Sequence, residues 1–366
     1  MLEKFTPGGV MVDIIILLFI LLLLWKSYKY NRPAKQWKTF FAACLMIVFC
    51  VFGFYDTDYY HYKDLIELLS RKSLNTHIED FHIWLIETLD YSVFWYRITI
   101  WGGACMMFYC MVKILKLRLD LSIFIFSMLF LQKFGYGRVS LGWAVAFCGY
   151  SIILMRRRWI TKIFGIMLII GSLFMHKSMI FVIAPMAFSF IKFNKKLLFI
   201  TILSFAIVVY VVSTHGLFHY IETADEEISA VNSALSYGSA DAKIIGIGSL
   251  FRIILERSVY YLAVILSVFL IIKKQYAKFP YQIRCFVNVS LLIVFFASLF
   301  LFNLSANTTI FYYRFLYFAI IPLSVIISYL YYAKVPHSKS VKYIIALGIF
   351  ASIYDISYKY YLSFFE

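Results

Sequence analysis

Apolar runs of roughly 15–20 residues follow one another along the chain, separated by short clusters of lysine and arginine. No period-two alternation breaks these runs, and backbone in lipid must satisfy its own hydrogen bonds, so the pattern predicts helices rather than the strands of a barrel. Twelve spans are predicted, approximately 10–25, 39–54, 98–114, 120–135, 139–155, 160–175, 178–191, 197–213, 258–272, 285–303, 315–333 and 341–358. No cleavage pattern of a signal peptide precedes the first, which is expected to be retained. The expected fold class is therefore all-α, a single polytopic membrane domain over residues 1–366.

One run is interrupted. In "GSLFMHKSMIFVIAPMAF" the polar triplet His176, Lys177, Ser178 follows 13 apolar-run residues, from Ile163 to Met175, and 12 more run from Met179 to Phe190. Each half is only about 20 Å long against a hydrocarbon core of roughly 30 Å. The triplet reads as the tip of a tight hairpin, with His176 at or just below a membrane interface.

Composition agrees with the pattern: 63% of the 366 residues are hydrophobic and 20% aromatic, with a mean hydropathy of +0.83, far above a soluble domain. The net charge of +16 would suit a nucleic-acid binder if it were spread over a soluble surface, but it is not. "KSYKYNRPAKQWK", Lys113 to Arg118, "RRRWITK", "KFNKK", "KKQYAKFPYQIR" and "KVPHSKSVK" hold 22 of the 35 basic residues, with Asp120 as their one acid. By the positive-inside rule these six loops are cytoplasmic, and the charge reports topology rather than a nucleic-acid footprint. Alternation then places both termini outside, together with the loops 55–97 and 214–257, which carry 8 and 6 of the 19 acidic residues. Neither loop is long enough for a domain with its own core. In the first, Phe81, Trp84, Leu85, Leu89 and Tyr91 recur near helical spacing between Glu79, Asp80, Glu87 and Asp90, which predicts an interfacial amphipathic helix.

Candidate chemistry gathers on that external face. Arg97, Arg138, Lys177, Arg252, Arg257 and Arg314 sit at external membrane edges, where positive charge is disfavoured unless it is paired or meets an anion. A lipid-linked phosphate or pyrophosphate would be gripped there by guanidinium forks. Snorkelling or pairing with loop carboxylates is the alternative, and it suits Arg97, Arg252, Arg257 and Lys177 better than Arg138 and Arg314, which have no carboxylate nearby in sequence. His176 can act as general acid or base, or donate to phosphate. Asp56 and Asp58 in "YDTDYY" could activate an acceptor hydroxyl, with Tyr59 and its neighbours Tyr55, Tyr60 and Tyr62 stacking on sugar rings. Asp13 and Asp355 lie within spans but near their external ends, where burial is not expected. The six cysteines show no CxxC spacing, and no metal-ligand cluster is visible, so they read as packing residues and no cofactor or metal is expected.

The order of these features resembles the EpsG-type branch of the Wzy-like polysaccharide repeat-unit polymerases. "DTDYYHY" follows the second span, "EDFHIWL" the external loop helix, Arg138 opens a span, His176 to Ser178 tips a hairpin, and Tyr313 to Phe318 closes the series. The chain departs from the family pattern at Gly53 and Phe54, where an arginine is usual before the acidic stretch, and at Val139, where a glutamine is common; an R-x10-G spacing runs from Arg138 to Gly149. The resemblance implies a metal-independent glycosyltransferase of a bacterial inner membrane. It would join undecaprenyl-pyrophosphate-linked repeat units of an O-antigen or capsule glycan at the external face, with a chain-length regulator protein as a candidate partner beside membrane lipids. Arg138, His176 and Arg314 would meet the pyrophosphate, Asp58 or Asp56 would activate the acceptor, and Tyr313 would contact substrate. The alternatives are a lipid-linked oligosaccharide flippase, a membrane O-acyltransferase and an O-antigen ligase. A flippase should carry midplane binding groups in related halves, and no repeat is visible here.

Overall fold

The computed structural model describes residues 7–52, 58–71, 79–131, 139–155, 158–215, 247–299, 315–333 and 338–362, with the side chains of 7–10, 58–62, 64, 208–209, 211–215, 247–254, 256, 299, 338 and 358–362 left aside. Helix accounts for 87% of it, and there is no strand among the described residues. In chain order the helices are α1 (Pro7–Tyr30), α2 (Gln36–Phe52), α3 (Asp58–Ser70), α4 (Asp80–Thr88), α5 (Val93–Arg97), a π-helical turn (Ile98–Gly102), α6 (Gly103–Ile114), α7 (Leu119–Leu129), α8 (Val139–Ile153) and α9 (Trp159–Met175). A 3-10 turn (Lys177–Met179) leads to α10 (Ile180–Phe188), α11 (Lys195–His215), α12 (Ile247–Ile272), a second 3-10 turn (Gln275–Lys278), α13 (Tyr281–Leu299), α14 (Ile320–Tyr332) and α15 (Ser338–Leu362).

Each of the twelve predicted windows coincides with a helix in this series. By length and apolarity, four segments can cross a membrane: Met11–Tyr30, Tyr281–Ser298, Phe315–Tyr332 and Lys339–Ser357. Shorter apolar helices fill most of the remaining windows, among them Gln36–Phe52, Val139–Ile153 and Trp159–Met175. Helix ends follow local chemistry. Asn194 caps α11 by accepting the Leu197 amide at 2.8 Å, which leaves one fewer amide orphaned at that N-terminus. Asn31, Lys116 and Lys274 take left-handed conformations just past α1, α6 and α12, ending those helices.

Among the described residues, helices α8 and α9 pack extensively along one another. A Cβ built on Gly149 would lie 2.5 Å from the Gly165 carbonyl oxygen, and one on Gly165 would lie 2.7 Å from that of Gly149. The two backbones touch there, as helices do where small residues let them approach. The Arg138–Gly149 spacing noted above thus has a packing meaning at its glycine end. The arms of the expected hairpin diverge instead of pairing: α9 lies along α8, whereas α10 leans chiefly on α13.

Polar ties join described helices that flank the basic loops. Arg118 holds Asp120 in a fork, Nε to Oδ1 at 3.2 Å and Nη2 to Oδ2 at 2.7 Å. It also donates to Asn31 Oδ1 at 2.7 Å and to the Arg32 carbonyl at 2.8 Å, while Asp120 accepts from Ser27 Oγ and from the Ala34 amide at 2.8 Å. Tyr331 on α14 donates to the Tyr28 carbonyl of α1 at 2.5 Å. The buried Asn288 of α13 donates to the Ser189 and Ile191 carbonyls at 2.7 and 2.8 Å and accepts from Tyr276 at 2.7 Å. Tyr150, late in α8, bonds Ser189 just past α10.

Two substitutions test this packing. Gly149→Leu or Gly165→Leu is expected to force α8 and α9 apart and to cost about 1–3 kcal/mol or more, seen as a lower thermal midpoint of the detergent-solubilised protein. Arg118→Met strands the Asp120 carboxylate, whose side chain is only 8% exposed, and is expected to cost about 3 kcal/mol or more on the same assay.

Candidate functional site

At the opposite end of α9, about 25 Å from the basic loops by helix rise, His176 terminates the helix in extended conformation, φ −159° and ψ 123°. Its Nδ1 accepts from the Ser178 amide at 3.2 Å and lies 2.7 Å from Ser178 Oγ. Its Nε2 lies 3.3 Å from Glu79 Oε1, with the two side chains 22% and 14% exposed. A backbone amide can only donate, so Nδ1 is the acceptor and the neutral ring carries its proton on Nε2, facing the carboxylate. The Ser178 hydroxyl consequently donates to Nδ1. Glu79 stands at the N-cap of α4 without using its side chain as a cap; the carboxylate is turned to His176 instead. The result is a chain of contacts from Ser178 Oγ through the imidazole to Glu79, shielded from most solvent.

The described flanks of the two expected arginine motifs reach the same tip. Met179 packs over the first turn of α8, its sulfur 3.2 Å from where a Cβ on Gly142 would lie, four residues beyond Arg138. Phe315, the residue after Arg314, meets Phe181 edge-on at 4.6 Å and Phe296 at 5.1 Å. Trp143 and Phe318 join the two flanks at 5.5 Å. Arg138, Arg314, Tyr313 and Asp56 themselves fall outside the described residues. Asp58 and Tyr59 open α3 and Arg252 lies in α12, all three described in backbone only. Lys177 is exposed on the 3-10 turn, and Arg257 is half-buried on α12.

The loop helix forms as its spacing predicts, but its inward stripe is His82, Leu85 and Ile86, so Trp84 points outward, 58% exposed. His82 is fully buried, and its Nδ1 pairs with Tyr96 Oη at 2.9 Å. That bond locks α4 onto α5, across a link where Asp90 and Tyr91 both adopt left-handed backbone, φ 51° and 55°. Arg97 closes α5 as a buried residue, not an exposed one. Its Nη2 donates to the Cys50 carbonyl at 3.2 Å, near the end of α2, and its guanidinium lies 5.0 Å from the centroid of the Trp101 ring. Asp13 and Asp355 correct the sequence expectation: they are 1% and 2% exposed, because α1 and α15 turn these faces toward neighbouring helices rather than toward the rim. Among the described residues no group of three or more His, Cys, Asp or Glu side chains could hold a metal ion.

The sequence missed Glu79 and Ser178 as partners of His176. Ser178 was readable from its two-residue spacing; Glu79 was not, since only the folding of α4 against α9 brings it near.

Tyr96→Phe removes the hydroxyl from His82 Nδ1 and is expected to destabilise the solubilised protein by about 1–3 kcal/mol, read as a fall in thermal midpoint with the helix content unchanged.

No protein-family model, curated protein or solved structure matches this chain.

Proposed function

We propose that the chain crosses a bacterial inner membrane twelve times and polymerises undecaprenyl-pyrophosphate-linked oligosaccharide repeat units at the external face. The observation that carries this reading is the convergence, at the end of the bundle away from the basic loops, of the His176–Glu79 pair with the flanks of the Arg138 and Arg314 motifs. By the positive-inside rule the basic loops belong to the cytoplasmic side. The other end then meets the glycan.

In this reading the growing chain on its lipid pyrophosphate is the donor and a single lipid-linked repeat is the acceptor. The acceptor oxygen bonds to the anomeric carbon while the bond to the pyrophosphate oxygen breaks, its electron pair leaving with the pyrophosphate. Negative charge grows there as the reaction proceeds, so fixed cations at Arg138 and Arg314 stabilise the transition state more than the bound substrate. Asp58 or Asp56 is near enough in sequence to the rim to help orient the acceptor.

The test is the glycan ladder of cells lacking the protein, complemented with wild type, Arg138→Ala, Arg314→Ala or His176→Ala at matched membrane expression. A single repeat in the deletion strain and a ladder restored by wild type but not by the variants is the expected outcome. Loss of all external glycan points to a flippase, and an intact ladder with altered acetylation to an acyltransferase. For orientation, a cysteine at Lys177 is expected to react with a membrane-impermeant maleimide added outside, and a cysteine at Lys116 is not.

A further inference from the structure

The contacts of His176 carry more than its presence at the rim. Both ring nitrogens are committed. Nδ1 accepts from the Ser178 amide and hydroxyl at 3.2 and 2.7 Å, and Nε2 faces Glu79 at 3.3 Å. The direction of these bonds is set by the amide, which cannot accept. A lone pair on Nδ1 is therefore aimed at the Ser178 hydroxyl, and any charge gained by the ring is met by the Glu79 carboxylate on its far side.

We propose that Glu79 is a positioning residue for His176 and that Ser178 Oγ is the atom through which the imidazole exchanges a proton with substrate. The proposal rests on the polymerase reading of this site. An acceptor sugar hydroxyl gives its proton to Ser178 Oγ as the Ser178 proton passes to Nδ1, and the freed sugar oxygen bonds to the donor's anomeric carbon. The donor's bond to pyrophosphate breaks and the electron pair leaves on the pyrophosphate. The imidazolium is held by Glu79 until its proton is lost to water or to the departing pyrophosphate. The base is thus built from the loop helix and the hairpin tip together, so it exists only when α4 is docked.

Among the described residues, the elements packed against the ring carry other titratable groups. On α4, Asp80 and Glu87 are exposed, as is the neighbouring Lys177. Helix α10 has no ionisable side chain, and those of α8 and α9 (Cys148, Tyr150 and Lys162) lie toward the basic end. Glu79 lies at contact distance of the ring.

The experiment follows the titration of His176 by NMR in the full-length, histidine-labelled protein in detergent, with His176→Asn identifying its signal. A neighbouring carboxylate favours the protonated ring, so Glu79→Gln is expected to lower the midpoint by about one pH unit. In parallel, purified protein and lipid-pyrophosphate-linked repeat units give polymerisation rates. Ser178→Ala and His176→Ala are each expected to lose about a hundredfold, with the double variant no slower than either alone, because residues acting as a unit do not add. The acid limb of the pH–rate profile is expected to move with the Glu79→Gln midpoint. An unchanged midpoint in Glu79→Gln overturns the positioning role whatever the activity. A shifted midpoint with wild-type rates in Ser178→Ala overturns the relay. A deletion strain that does not stop at one repeat overturns the polymerase reading, and the relay with it, while leaving the titration result to stand by itself.

Discussion

Inside hydrocarbon a polar atom finds no water, so a buried polar side chain is stabilised where another part of the protein answers it. That constraint organises the bundle. Asn288 spends both amide hydrogens on carbonyls at the end of α10 and its oxygen on Tyr276. Arg118 and Asp120 draw the end of α1 and the start of α2 onto α7. Arg97 answers a carbonyl of α2 from the far end. Apolar packing against lipid gives helices little reason to prefer one neighbour over another; these ties, with the bare contact of Gly149 and Gly165, supply that preference.

The same constraint separates structure from chemistry. Polar groups beside the basic loops hold helices together: Arg118 bonds Asp120, Asn31, Ser27 and the Arg32 carbonyl. At the other end the His176 ring keeps 22% of its surface open and borders the flanks of two arginine motifs. Under the proposed reading, a site there would gain from low dielectric on one side while remaining reachable from water and from the lipid phase on the other.

Much of this was legible from residue order. Twelve apolar windows marked twelve helices because length and hydropathy are local properties, and the loop helix around Trp84 announced itself by spacing. What failed was whatever depends on which helix faces which. Asp13 and Asp355 were expected at the rim from their places near span ends, yet both are buried, since helix rotation and not depth decides exposure. Arg97 reads in sequence as an edge cation and in the fold as a strut. His82 sat unnoticed between Phe81 and Ile83 because nothing in the sequence joins it to Tyr96, and Glu79 could be tied to His176 only once α4 lay against α9.

The π-helical turn at Ile98–Gly102 amounts to one residue inserted into an α-helix. A helix advances roughly 100° per residue, so one extra position in the turn offsets the faces of α5 and α6 by that angle. Arg97 points at α2, while the stripe of α6 built on Ala104, Phe108 and Met111 faces the core. Trimming a single residue here would restore a regular ladder and swing one of the two faces out of place, so the segment's length, more than the identity of any residue in it, is what natural variation should preserve.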